Sequence, residues 1–155
     1  MAEQKAKKEV ILTGVAEVDE KLGGGIPLGS LCLIEGHSDA GKSVLCQHLS
    51  YGTLSTAEAN VAYYTTENSV RSLISQMASL DLHVQDHFLA DRFRIFPLTS
   101  RNMMQGGKLP FRIIINHFSH LPKNFKLILV DSITLLIAHG DPVATIDFFS
   151  GCKSL

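Results

Sequence analysis

The sequence predicts an α/β domain of three layers, a parallel sheet with helices on both of its faces. Three observations lead there. Short apolar runs of strand length alternate with segments whose apolar residues recur at helical spacing. That alternation implies parallel strands, because each crossover lays a helix against the sheet. Finally, 155 residues with 45% apolar and 19% charged side chains suit one hydrophobic core, so residues 1–155 are read as a single domain.

The elements follow in order. "SLCLIEG", Ser30 to Gly36, is a short apolar run ending in glycine and reads as a buried strand. The segment from Lys42 to about Thr53 reads as a helix, with Val44, Leu45, His48 and Leu49 roughly on one side. "NVAYYTTE" is β-branched and aromatic and reads as the second strand. Asn68 or Ser69 then caps a helix in which Val70, Leu73, Ile74, Met77 and Leu80 share a face. "DRFRIFPL" alternates Phe93 and Ile95 against arginines, a third strand closed by Pro97. Phe111, Ile114, Ile115, Phe118 and Leu121 form another helical face that ends at Pro122. "FKLILVDS" is the fourth strand, apolar until Asp131. A short apolar turn or helix follows, and Asp141-Pro142 opens a last helix, with Asp as cap and Pro in its first turn.

Charge and composition exclude several classes. With 14 basic and 15 acidic side chains the net charge is -1, too little positive field for nucleic-acid binding by bulk charge. Cys32, Cys46 and Cys152 are widely spaced and lack a C-x-x-C pair, so they read as thiols of a reducing compartment. "MAEQKAKKEVILTG" has no apolar core of a signal peptide, and "LILVDSITLLIA" is too short and too polar to span a bilayer. The expectation is a cytoplasmic chain. Lys5, Lys7 and Lys8 read as a solvated tail, with a membrane-surface contact as the alternative. Met103-Met104 with Gly106-Gly107 reads as a loop. His83 with His87, and His117 with His120, have helical spacing but no third ligand nearby, so both pairs read as surface histidines.

One motif carries chemistry. Gly36-His37-Ser38-Asp39-Ala40-Gly41-Lys42-Ser43 satisfies G-x-x-x-x-G-K-[ST], after an apolar run and before a helix. Gly36 and Gly41 allow a tight turn that brings N–H groups to an anion. The helix starting near Lys42, with Val44 in its first turn, adds unpaired N–H groups and the positive end of its dipole. Lys42 supplies a mobile charge for the β- and γ-phosphates of a nucleotide, and the Ser43 hydroxyl suits magnesium. Asp39 places a carboxylate inside the loop, which costs little if its side chain faces solvent. Asp131, at the carboxyl end of an apolar strand, is placed either to hold magnesium or its water, or to cap the next helix. Glu67, at the end of "YYTTE", either orients and deprotonates an attacking water or is a solvated helix-entry charge.

"TGVAEVDEKLGGGIPLGSLCLIEG", "STAEANVAYYTTENSV" and "LILVDSIT" together resemble the RecA/KaiC-like ATPases. "GKSVLCQHLSYG", "YYTTEN" and "FRIFPL" are similar to the branch of ATP-binding accessory proteins of the archaeal motility filament, the archaellum. The similarity runs from Thr13 to about Phe149. It implies a RecA-like P-loop fold in which residues 36–43 are the Walker A loop, Asp131 the Walker B aspartate and Glu67 the catalytic-glutamate position. It also implies ATP and Mg2+ as ligands and a homo-oligomeric ring. Docking on the archaellum motor ATPase and scaffold proteins at the inner face of the membrane follows from the same likeness. KaiC-type proteins usually carry two adjacent glutamates where this chain has Glu67-Asn68, which implies slow or absent hydrolysis. In RecA-like sheets the strand after Walker B inserts between the P-loop strand and the Walker B strand. The expectation is therefore a domain incomplete at its C-terminus, with unpaired edges at Leu31–Glu35 and Leu127–Asp131.

A GTPase would want D-x-x-G after the Walker B position and a later N-K-x-D, and this chain has "DSIT" and no N-K-x-D. Three readings of function stand at this point. One is an ATP-binding regulatory or assembly module with slow or absent turnover. The second is an active ATPase with Glu67 as general base, assisted by Lys42. The third is a non-functional fragment of one.

Overall fold

The computed structural model describes residues 9–56, 58–98, 111–138 and 141–155. The lysine cluster at 5–8 and the Met103–Gly107 loop lie outside the described residues. The elements are β1 (Val10–Ile11), α1 (Ala16–Lys21), β2 (Ile26–Pro27), α2 (Lys42–Leu54), β3 (Asn60–Thr65), α3 (Val70–Ser79) and α4 (Gln85–Leu89). They continue with β4 (Phe93–Pro97), α5 (Phe111–Ser119), β5 (Phe125–Asp131), α6 (Thr134–Ala138) and α7 (Pro142–Lys153).

The main sheet is parallel, in the order β4-β3-β5. β3 is central and buried at all six positions, and its alternation divides the core. Val61 and Tyr63 face one side, packed with Cys46 and Leu54 of α2, Leu73 and Met77 of α3, and Phe93. Ala62 and Tyr64 face the other, packed with Phe111, Ile114 and Phe118 of α5, Leu136 of α6 and Phe148 of α7. Two helical layers thus cover one sheet. Removing fully buried side chains such as Leu73, Met77 and Leu136 from water contributes roughly 2 kcal/mol each.

Caps behave as their chemistry demands. Ser69 Oγ accepts from the Ser72 N–H at 3.1 Å and starts α3. Asp141 Oδ2 accepts from the Ala144 N–H at 3.3 Å and starts α7, with Pro142 in its first turn.

Two expectations are corrected. Residues 31–37 form no strand: Leu31 is 49% and Leu33 67% exposed, and only Ile34 packs on the core. A strand is held by its ladder, and among the described residues β5 pairs only with β3, so nothing pairs with this segment. The buried face of α2 also differs from the expected one. It is Cys46, Leu49, Ser50 and Thr53 with Gln47 and Leu54, whereas Val44 is exposed. Beside Leu49 and Leu54 it carries the small polar residues Ser50 and Thr53, and at Gly52 backbone comes close to it. A Cβ added to Gly52 would lie 2.1 Å from the Leu12 carbonyl oxygen and 2.8 Å from the Thr13 carbonyl carbon. Ser50 and Thr53 return their hydroxyls to the Cys46 and Leu49 carbonyls, which satisfies them without outside partners.

The segment before α2 has a fold of its own. β1 and β2 pair antiparallel, and Asp19 of α1 reaches back to accept from the Thr13 N–H at 2.7 Å and its hydroxyl at 2.8 Å. The Thr13 backbone bond, followed by the other contacts and opposed by desolvation, holds the Asp19 carboxyl below its usual range.

Candidate functional site

The parallel register decides which strand ends meet. Thr65 is opposite Asp131 on one flank and Pro97 on the other, so the carboxyl ends of β3 and β5 are level. Beyond them, the Thr66 N–H donates to the Asp131 carbonyl at 3.0 Å and Ser132 N–H to Thr66 Oγ1 at 3.1 Å. This brings Glu67 beside Ser132, whose hydroxyl donates to Glu67 Oε1 at 3.2 Å. The β5 end and the β3 end therefore meet, although Ser132 and Glu67 are 65 positions apart in sequence.

The loop joins the same site from α2. Ser43, in the first turn, donates its hydroxyl to Asp131 Oδ1 at 3.0 Å. Gly41 takes the N-cap position at φ 81° and no side chain caps the turn, so the leading N–H groups of α2 are available to an anion. That positive φ is what requires glycine at 41. Gly36 is different: an added Cβ would meet Ala40 Cβ at 3.5 Å, an ordinary contact, so space is not its reason here.

Lys42 donates from Nζ to the carbonyls of Gly36 at 2.8 Å and His37 at 2.5 Å. The ammonium thus already sits in the mouth of the loop, and both bonds are exposed and exchangeable. His37, Ser38, Asp39 and Ala40 form the exposed rim. Asp39 has φ 61°, a left-handed conformation that aspartate tolerates better than most residues.

Tyr63 and Thr66 complete the constellation, and neither belongs to a recognisable phosphate-binding motif in the sequence. Tyr63, fully buried, donates its phenol to Asp131 Oδ2 at 2.6 Å. Burial first, then the Asp131 charge, pushes the phenol far above its usual range and keeps it a donor. The available signal was a tyrosine inside an apolar strand, since a buried phenol needs a partner. Cys46, one turn beyond Ser43, is pushed up to about 12 by burial and then by Asp131, so it stays a thiol. Asn68 is turned away from the site: its Oδ1 accepts from Ser72 at 3.0 Å and Gln76 at 3.1 Å.

The donor set fits magnesium of one kind. Ser43 Oγ and Asp131 Oδ1 are hard oxygens side by side, and no group of three metal-ligating acidic, histidine or cysteine side chains exists among the described residues. Mg2+ typically takes one or two protein oxygens and completes its octahedron with water and phosphate. These residues would therefore hold it only together with a phosphate. The histidine pairs make no such cluster; His117 Nδ1 meets the Tyr64 hydroxyl and His120 Nδ1 the Asn116 carbonyl. A cavity of about 600 Å3 lined by Val10, Leu12, Thr53 and Lys126 lies near the starts of β3 and β5, away from the loop.

The family model for KaiC ATPases matches residues 11–148 of this chain. The archaeal flagellar ATP-binding protein FlaH of Methanocaldococcus jannaschii is 34% identical over 134 residues, which cover 84% of this chain and 55% of that protein. The FlaH of Sulfolobus acidocaldarius is 28% identical over 149 residues, covering 94% of this chain and 64% of that one. The crystal structure of the flagellar accessory protein FlaH from Methanocaldococcus jannaschii superposes with a TM-score of 0.72 at 29% identity, over 96% of this chain and 66% of that chain. The chain thus spans a little over half to two thirds of the length of these relatives.

Proposed function

The chain belongs to the KaiC family of ATPases, a nucleotide-binding family, and from that premise we propose that it binds Mg-ATP at residues 36–44 as a regulatory or assembly module of the archaellum motor, with slow or absent hydrolysis. Residues 1–155 belong to one nucleotide-binding domain in this reading. The observation that carries it is the Ser43–Asp131 hydrogen bond, which joins the phosphate loop to the end of β5. The likeness to FlaH proteins supports the archaellum assignment.

Each residue has a role in that reading. The N–H groups of the loop and of the first turn of α2, from Gly36 through Val44, receive the phosphates. Lys42 leaves the Gly36 and His37 carbonyls for the β- and γ-phosphate oxygens. Ser43 and Asp131 hold Mg2+, which when bound neutralises phosphate charge. Slow turnover follows from a single carboxylate, because Asn68 is engaged by Ser72 and Gln76 and leaves Glu67 without an acidic neighbour. Nucleotide state would then act as a conformational signal to a homo-oligomeric ring, to the motor ATPase and to scaffold proteins at the inner face of the membrane. In this reading the chain works in the cytoplasm, at most peripheral to the membrane through those partners. No helix of the described residues is long and apolar enough to cross a membrane.

A second reading, an active ATPase with Glu67 as base, is favoured by the 3.2 Å contact that holds Glu67 next to the Asp131 end of β5. Phosphate release at saturating Mg-ATP separates the two. The regulatory reading expects equal, slow release by the wild type and by Glu67→Gln. A fall of roughly 100-fold or more in Glu67→Gln would establish general-base turnover instead.

A further inference from the structure

We propose that Tyr63 is a positioning residue for the metal side of this site, holding the Asp131 carboxylate in the one orientation that keeps Oδ1 at Ser43. The inference rests on the reading of Ser43 and Asp131 as the magnesium-binding pair, and it adds a residue that touches neither metal nor nucleotide.

Asp131 lies at the last position of β5, 8% exposed, and each of its oxygens has a separate partner. Oδ1 accepts from Ser43 at 3.0 Å and Oδ2 from Tyr63 at 2.6 Å. A carboxylate with one anchored oxygen cannot rotate without breaking that bond, so the phenol fixes the plane in which Oδ1 is presented. The Tyr63 bond is the shorter, and it is the buried one; the Ser43 bond is half exposed. Hydrogen bonds to a charged group are the stronger kind, the more so where water cannot compete.

The anchor is itself rigid. Tyr63 sits at the middle of the central strand, paired with Ile95 on one side and Leu129 on the other. Its ring packs edge-on against Phe93 at 6.2 Å between centroids and is 0% exposed. Ser43, by contrast, is on the first turn of α2 and belongs to the loop that must accommodate a ligand. When the Ser43 hydroxyl turns to a metal, the bond it donates to Asp131 is given up. Tyr63 is then the side-chain partner that keeps the carboxylate in place. Division of labour between a fixed donor and an exchangeable one is the usual way a ligating carboxylate is oriented from outside the metal's own coordination sphere.

The test separates metal binding from nucleotide binding. ATP affinity is measured by calorimetry in Mg2+ and in EDTA, for the wild type and Tyr63→Phe. Phenylalanine keeps the ring and its packing and removes only the O–H, and the melting temperature without ligand reports any loss of packing separately. The expected result is a fall of about tenfold in the Mg2+-dependent gain in affinity, with affinity in EDTA within about twofold of the wild type. Adding Tyr63→Phe to Asp131→Asn should then change the gain by less than about twofold, since no carboxylate remains to be held. Equal losses in Mg2+ and EDTA would mark Tyr63 as merely structural and overturn the proposal. So would an unchanged gain. A wild type that binds ATP equally well with and without Mg2+ would remove the Ser43–Asp131 metal pair itself, and this proposal with it.

Discussion

Lys42→Ala tests the loop most directly, because the structure assigns the ammonium little work without a ligand. Its two bonds, to the Gly36 and His37 carbonyls, are exposed, so their loss should cost under about 1 kcal/mol of folding stability. With ATP the situation reverses. A ligand present at 100 times its Kd and bound only to the folded chain adds about 2.7 kcal/mol. For a domain of this size that raises the melting temperature by roughly 5–11 °C. A charge-assisted contact to phosphate is worth about 1.5–3 kcal/mol, so removing Lys42 raises Kd by up to roughly 100-fold. At the same ATP concentration the increment shrinks to about 0.4 kcal/mol, a shift of roughly 1–2 °C. The assay is thermal unfolding with and without Mg-ATP, wild type beside variant. An equal shift in both would refute the placement of phosphate at this loop.

Two further substitutions probe the loop and the helix behind it. Gly52→Ala should destabilise by about 2–3 kcal/mol and lower the melting temperature by roughly 4–12 °C, because the new Cβ meets the Leu12 carbonyl oxygen and cannot push aside a flexible side chain; a rise, as the helix propensity of alanine alone would give, would show that the Leu12–Thr13 backbone does not pass against α2. Asp39→Gly should leave stability within about 0.5 kcal/mol, since relief of the left-handed backbone at 39 is offset by the freer unfolded chain. The same change should tighten ATP binding roughly threefold to tenfold at low salt by removing a carboxylate from the rim, an effect that fades as salt is raised; unchanged affinity would mean that this side chain does not share the field of the phosphates.

The sequence by itself determined most of the alternation of elements, a helix cap at Asn68 or Ser69 and another at Asp141, and the G-x-x-x-x-G-K-[ST] pattern at residues 36–43. It also placed Asp131 and Glu67 at strand ends. All of these are local: spacing along one element, or a residue type at its end, is enough to read them. Whether the Asp131 and Glu67 ends come together could not be read in that way. The register of β3 against β5 decides it, setting Thr65 opposite Asp131 and so putting Glu67 against Ser132. Tyr63 needed the same register, because its partner is 68 positions away and nothing near it in sequence asks for a phenol. The run at 31–35 shows the converse. Its apolar residues read as a buried strand and the structure has none there, because a strand is completed by a neighbour's N–H and C=O groups and no spacing of side chains supplies those. The close approach of backbone to α2 at Gly52 is likewise a contact with no trace in the helix's own periodicity. Local pattern therefore determined the parts and their ends, and only the tertiary structure decided which ends meet.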